Sequence, residues 1–215
     1  MVNITKRLLS LFFGLVLFSV GILLTIHANL GVSPWDAFHL GVVYHSPLTL
    51  GQASQLVGLF LIVLGFIMKE KPGWGTIANM YFIGLFIDII EKRNLIPDGT
   101  NYFNGFLLLL AGIFAIGWGS YFYINAGLGT GPRDTLMMAL TKKFSTQLWK
   151  VRTAIELSVL IIGVILGGPF GIGTLVIALL LGPSVQLAYK IGGKEAADIE
   201  HLNIMEGFKK KSLSS

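Results

Sequence analysis

The amino-acid sequence predicts an all-α polytopic membrane protein: six transmembrane helices plus two short re-entrant half-helices, in two inverted-topology repeats of about 98 residues. Three observations predict it. The 215 residues are 53% hydrophobic and 13% charged, with a mean hydropathy of +0.74, whereas a soluble domain is roughly 25% charged. Six stretches approach the ~20 apolar residues that a helix needs to cross a ~30 Å hydrocarbon core. An offset of 98 residues superposes seven pairs among the 27 glycines, where chance placement gives about two.

The first span, Leu8–Ile26, follows Lys6 and Arg7 as a signal peptide would. Its apolar run exceeds the ~7–15 residues of a signal-peptide core and no small-x-small cleavage site follows, so the span is retained. A Gly-rich turn leads into Pro34–His45, about three helical turns and too short to cross. The second span is Leu50–Met68. The third, Trp74–Ile90, begins in the turn Gly73-Trp-Gly-Thr76. The second half repeats this order: span Phe103–Ile124, short segment Pro132–Lys143, span Leu148–Leu166, turn Gly171-Ile-Gly-Thr174 and span Ile172–Tyr189. Residues 1–97 and 98–191 are thus the two membrane units. Residues 192–215 form a polar cytoplasmic tail whose four Lys are balanced by Glu195, Asp198, Glu200 and Glu206.

With the N-terminus cytoplasmic and neither short segment crossing, 14 of the 16 Lys and Arg lie inside; letting both cross leaves 13. The positive-inside rule favours six spans narrowly, and the shortness of the two segments decides the matter. Both termini are then cytoplasmic. Three crossings per repeat insert the second copy upside down. The loop charges agree, since Val32–Ser54 has no Lys or Arg and Thr130–Arg152 has five. The matched pairs include Gly14/Gly112, Gly21/Gly119, Gly31/Gly129, Pro34/Pro132, Asp36/Asp134 and Thr76/Thr174. Inverted units recur in secondary transporters, with the site at the repeat interface. A transporter or permease of a small solute or ion is therefore expected. The alternative is a non-transporting scaffold or an accessory or regulatory subunit.

The paired turns are Ala28-Asn-Leu-Gly-Val-Ser-Pro-Trp-Asp36 and Ala126-Gly-Leu-Gly-Thr-Gly-Pro-Arg-Asp134. Pro34 and Pro132 suit a first helical position, where the missing N–H costs nothing. Ser33 and Gly131 then occupy the caps, and Asp36 and Asp134 the third helical position, a capping-box spacing. Two readings stay open: the aspartates cap helix starts and offset the dipole, or the half-helix starts dip toward the midplane and make them intramembrane carboxylates. On the second reading the candidate site gathers Gly31, Ser33, Pro34, Asp36, Gly129, Gly131, Pro132, Arg133 and Asp134. Thr76, Asn79, Glu156 and Thr174 stand nearby. Arg133 has Trp35 as its counterpart, so the halves match in backbone and differ in chemistry. Glu156 pairs with Arg152 one turn away, or forms a proton or ion site. Asp88 is expected at the outer interface without a functional part. His27, His39 and His45 fall on the same side as Asp36 without any zinc-signature spacing, so no metal site is expected.

The strings G-x-S-P-W-D (Gly31–Asp36) and G-x-G-P-R-D-x-L-M (Gly129–Met137), each followed by a G-x-G-T turn, resemble the YczE/YyaS/YitT family of bacterial integral membrane proteins over residues ~5–190. The resemblance implies a bacterial multi-pass membrane protein and specifies neither substrate nor reaction. No nucleophile elbow, P-loop or H-E-x-x-H is present, so no enzymatic activity and no cofactor are expected. With no Cys, thiolate metal sites and disulfides are excluded. The net charge of +5 sits in short loops beside apolar spans, where it sets topology and points away from nucleic acid. The expected partners are the lipid bilayer and a small solute or ion, with homo-oligomers or a membrane partner left open.

Overall fold

The computed structural model describes residues 4–193, which fold into eight α-helices. The first half holds α1 (Ile4–His27), α2 (Pro34–Tyr44), α3 (Leu50–Ile67) and α4 (Trp74–Lys92). The second holds α5 (Tyr102–Asn125), α6 (Pro132–Lys143), α7 (Leu148–Ile165) and α8 (Ile172–Gly192). Each helix of the second half starts 98 residues after its counterpart in the first. The polar tail expected at 192–215 lies, beyond Gly193, outside the described residues.

Local chemistry sets the helix starts. Pro34 and Pro132 open α2 and α6. Ser33 caps α2, its Oγ accepting from the Asp36 N–H at 3.2 Å. Thr49 and Gln52 form a reciprocal capping box on α3, with bonds of 3.1 and 3.0 Å. Asn101 caps α5 by accepting from the Asn104 N–H at 2.9 Å. Asp88 has a structural part: its carboxylate accepts from Thr49 Oγ1 at 2.6 Å and from the Gly51 N–H at 2.8 Å. It therefore ties the end of α4 to the start of α3 and offsets that helix's dipole.

α1 and α5 form the centre of the bundle, packed along each other, with α4 against α1 and α8 against α5. Glycines bring the two central backbones together. A methyl group on Gly14 would lie 2.8 Å from the Gly119 carbonyl oxygen, and one on Gly21 2.8 Å from that of Gly112. Pairing 14 with 119 and 21 with 112 makes the two helices antiparallel. The short helices cross over: α2 packs chiefly on α7, and α6 on α3. They enclose a cluster of Trp35, Leu61, Leu136, Met137 and Val151.

Large apolar side chains cover the outside, among them Phe60, Phe66 and Ile67 of α3, Phe103 and Phe114 of α5, Ile161 and Ile165 of α7, and Leu175 and Leu179 of α8. Apolar exposure on this scale marks a lipid-facing surface. α1, α3, α5 and α8 are long and apolar enough to cross a membrane. α4 and α7, also expected to cross, have 19 and 18 residues but are less apolar. α4 ends in Asp88, Glu91 and Lys92, and α7 carries Lys150, Arg152 and Glu156 in its first half.

Candidate functional site

Each Gly-rich turn docks on a helix start from the opposite half of the chain. The Gly173 N–H donates to the Leu30 carbonyl at 2.6 Å, and the Gly75 N–H to the Leu128 carbonyl at 2.7 Å. Gly31 (φ +100°) lies against Gly171 and Thr174, and Gly129 (φ +133°) against Gly73 and Thr76. Such backbone angles favour glycine, and the close approach leaves no room for a side chain. Thr76 and Thr174, expected from sequence beside the candidate site, act here as caps. Their buried hydroxyls accept from the Gly73 N–H at 3.1 Å and the Gly171 N–H at 3.3 Å.

The docked turns bring the starts of α2 and α6 together. The Arg133 guanidinium lies over the Trp35 ring, 4.6 Å from its centroid. Residues Ser33–Trp35 and Gly131–Asp134 line one cavity of about 500 Å³, within the range of small-molecule sites. Ser54 of α3, Asn79 of α4, Arg152 and Glu156 of α7, Ser120 and Tyr123 of α5 and Gln186 of α8 complete its polar wall. Phe18, Ile22, Met80, Ile83, Met137 and Leu181 supply apolar wall. Two helix N-termini facing one space add positive dipole ends to it.

The four charges on this wall differ in their pairing. Arg152 Nε donates to Glu156 Oε1 at 2.8 Å. Arg133 and Asp134 have no ion-pair partner within 4.0 Å among the described residues. The two aspartates differ as well. Asp36 is buried, 3% exposed, and its carboxylate accepts from Ser33 Oγ at 2.5 Å. His39 Nδ1 lies 3.8 Å from its other oxygen. Asp134 has no serine at its cap, because Gly131 stands there; it lines the cavity, whereas Asp36 does not.

The structure thus gathers Ser33, Pro34, Asn79, Gly131, Pro132, Arg133, Asp134 and Glu156 around one space. It places Gly31, Gly129, Thr76 and Thr174 in the two docks, and Asp36 beneath Ser33. Tyr123, Ser120 and Gln186 are not marked by the sequence, since each sits on a long helix with no turn motif beside it, and Arg152 is marked there only as a partner of Glu156. The three histidines take separate partners. His27 lies 3.0 Å from Glu91 and 2.8 Å from Asp98, His39 faces Asp36, and His45 meets the Gly41 carbonyl at 2.9 Å.

A second cavity of about 470 Å³ lies across the Gly31 turn, lined by Asn29–Val32, Tyr44, Tyr102 and residues 169–172. Val32 faces this cavity and Ser33 the first. The docked turn is therefore the partition between them.

Comparison with known proteins places this geometry in a family. Residues 5–190 match DUF6198, described as a family of unknown function. The chain is 39% identical over 175 residues to the uncharacterized membrane protein YczE of Bacillus subtilis, covering 80% of each chain. It is 31% identical over 186 residues to an uncharacterized protein of Haemophilus influenzae, covering 86% of this chain and 84% of that one. To the uncharacterized protein YyaS of B. subtilis it is 29% identical over 174 residues, covering 79% and 85%. No solved structure matches the chain. The helices, the apolar exterior and these relatives together make the chain a bacterial multi-pass membrane protein belonging to the DUF6198 family.

Proposed function

We propose that the chain is a transporter or permease of a small solute, with its site in the cavity between the two halves. On this reading α1, α3, α4, α5, α7 and α8 cross the cytoplasmic membrane, and α2 and α6 are re-entrant half-helices. The halves are inverted repeats, both termini are cytoplasmic, and no reaction is catalysed. The shared 98-residue offset of all four helix starts and the antiparallel crossing of α1 and α5 support the inversion. Irregular backbone beside a half-helix is tolerated at membrane depth where protein or a polar cavity covers it, which suits the Gly31 and Gly129 turns.

The observation that carries the reading is the cavity with the charges on its wall. Arg133 and Asp134 line it without ion-pair partners among the described residues. An ionisable side chain within a bilayer costs about 2.5–3.5 kcal/mol even on lenient insertion scales. A scaffold gains nothing from that cost, whereas a solute site does. A docked turn whose adjacent residues line two cavities suits a gate.

The test is a thermal-shift screen of the detergent-purified protein against fractionated metabolite pools, followed by uptake of any hit into proteoliposomes. A ligand at 100 times its Kd adds about 2.7 kcal/mol of apparent stability. At least one pool is expected to raise the Tm, and its active component to accumulate in liposomes carrying wild-type protein but not Arg133→Gln. No shift with any pool and no uptake would return the protein to the scaffold class.

A further inference from the structure

The two unpaired charges of the cavity, Arg133 and Asp134, are consecutive residues of opposite sign on the first turn of α6, and both line the same space. Each is set apart from the pairing that its neighbours enjoy. Arg152, the other cavity cation, is engaged with Glu156 at 2.8 Å. The guanidinium of Arg133 stacks on Trp35 instead, leaving its N–H donors for another acceptor. Asp36, the counterpart of Asp134, is covered by the Ser33 hydroxyl. At the matching cap the second half has Gly131, where a Cβ would meet only ordinary van der Waals contacts. Asp134 Oδ2 lies 3.5 Å from that position, Tyr123 OH 3.5 Å and Asn79 Oδ1 3.6 Å. Three side-chain oxygens, one of them from a carboxylate, therefore surround Gly131 where it meets the cavity.

An ammonium group presents three donors and a positive charge, and this oxygen cradle offers three acceptors and a negative charge. A carboxylate fits a guanidinium in bidentate fashion and is favoured where helix N-termini converge. The two subsites adjoin along the helix, as the two charged groups of an α-amino acid adjoin on one carbon. Beyond them the cavity is apolar, with Ile22, Met80, Ile83, Met137 and Leu181 on its wall. The four lining side-chain charges sum to zero, so the wall suits a solute that carries both signs.

Resting on the solute-site reading above, we propose that the cavity takes a small zwitterion of the apolar α-amino acid type, its carboxylate on Arg133 and its ammonium over Gly131. The Gly131 cap is the specificity device. Ser33 spends its hydroxyl on Asp36, whereas Gly131, with no side chain, offers Asp134 only its backbone N–H.

The test uses the full chain in detergent and follows thermal shift and calorimetric binding. The compounds are leucine, methionine and phenylalanine, with N-acetyl-leucine, which lacks the ammonium, and leucinamide, which lacks the carboxylate. At least one amino acid is expected to bind, and for leucine each derivative to bind about tenfold more weakly or worse, as the loss of one charge-assisted contact requires. In Gly131→Ser the new Cβ meets its neighbours only at ordinary contact distance and its hydroxyl has oxygen partners beside it, so the variant is expected to melt like wild type. Its hydroxyl would take the Asp134 carboxylate, weakening amino-acid binding by a similar factor. Asp134→Asn is expected to lose discrimination against N-acetyl-leucine, and Arg133→Gln discrimination against leucinamide. If none of the three amino acids binds, or both derivatives bind as well as leucine, the zwitterion assignment is overturned. The solute-site reading survives that outcome if the metabolite screen yields a solute of another charge type, and falls with it if no pool shifts the Tm.

Discussion

Alanine at Gly129 or Gly31 is expected to destabilise the folded state strongly, by about 2–6 kcal/mol. Two independent costs add. A non-glycine residue held at φ +133° or +100° pays about 1–3 kcal/mol in strain. The added methyl would lie 2.8 Å from Thr76 Oγ1 at position 129, and 2.5 Å from the Gly171 backbone nitrogen at position 31. Overpacking against backbone adds about 1–3 kcal/mol more. Typical total stabilities are about 5–15 kcal/mol, so yield and melting temperature in detergent should both fall sharply. Gly182→Ala is the control, because nothing lies within 4 Å of its added methyl. The roughly 0.5–1 kcal/mol gained by a helix-interior Gly→Ala change is offset here by the crowding of a Cβ that precedes Pro183, so a change near zero is expected. Should Gly129→Ala and Gly31→Ala melt alongside Gly182→Ala, the turns are not docked as described.

The second large effect separates the two aspartates. Asp36→Ala is expected to cost about 2–4 kcal/mol of stability, since it strips a buried network of its acceptor. The Ser33 hydroxyl would lose its partner, and His39, whose Nε2 already has none among the described residues, would lose the carboxylate facing its other nitrogen. Asp134→Asn is expected to fold with a stability within about 1 kcal/mol of wild type, because Gly131 rather than a side-chain cap precedes it and Asn suits the same helix turn. Its loss should appear in solute binding and uptake. Melting temperature and binding, measured side by side on both variants, check this. Equal destabilisation by the two changes, with binding intact in Asp134→Asn, would make both residues structural.

Much of this architecture is legible before any coordinates, and for identifiable reasons. Pro34 and Pro132 announce their helix starts because proline is tolerated at a first helical position and little further in. Ser33 shows itself as a cap through its spacing to Asp36. Glu156 shows itself as a partner of Arg152 through its i, i+4 relation. Long-range partners left no such mark. That Asp88 serves the start of α3, 37 residues away at Gly51, follows from how α3 and α4 pack. That Thr76 and Thr174 end behind turns from the opposite half follows from tertiary docking, not from their own helices. Tyr123 and Ser120 escaped notice because α5 is apolar on nearly every side. A helix without a polar stripe does not declare which face looks inward. The split between Asp36 and Asp134 was visible only as Ser33 against Gly131. Its consequence, one carboxylate covered and the other open, needed the geometry.

The central claim is a water-reachable path between oppositely inserted halves. It is tested most directly by the reaction of single cysteines with a membrane-impermeant thiol reagent, applied to each face of sealed vesicles. The chain has no native Cys to confuse the result. Ser46→Cys, after α2, should react only from outside, and Ser145→Cys, after α6, only from the cytoplasmic face. Ser120→Cys, on the cavity wall, should react with a small hydrophilic reagent, while Ser19→Cys, fully buried in α1 and off that wall, stays inert. Reaction of positions 46 and 145 from one and the same face would contradict the inverted arrangement. A cysteine at 120 as inert as one at 19 would show a dry, packed interface, and the solute path would be refuted.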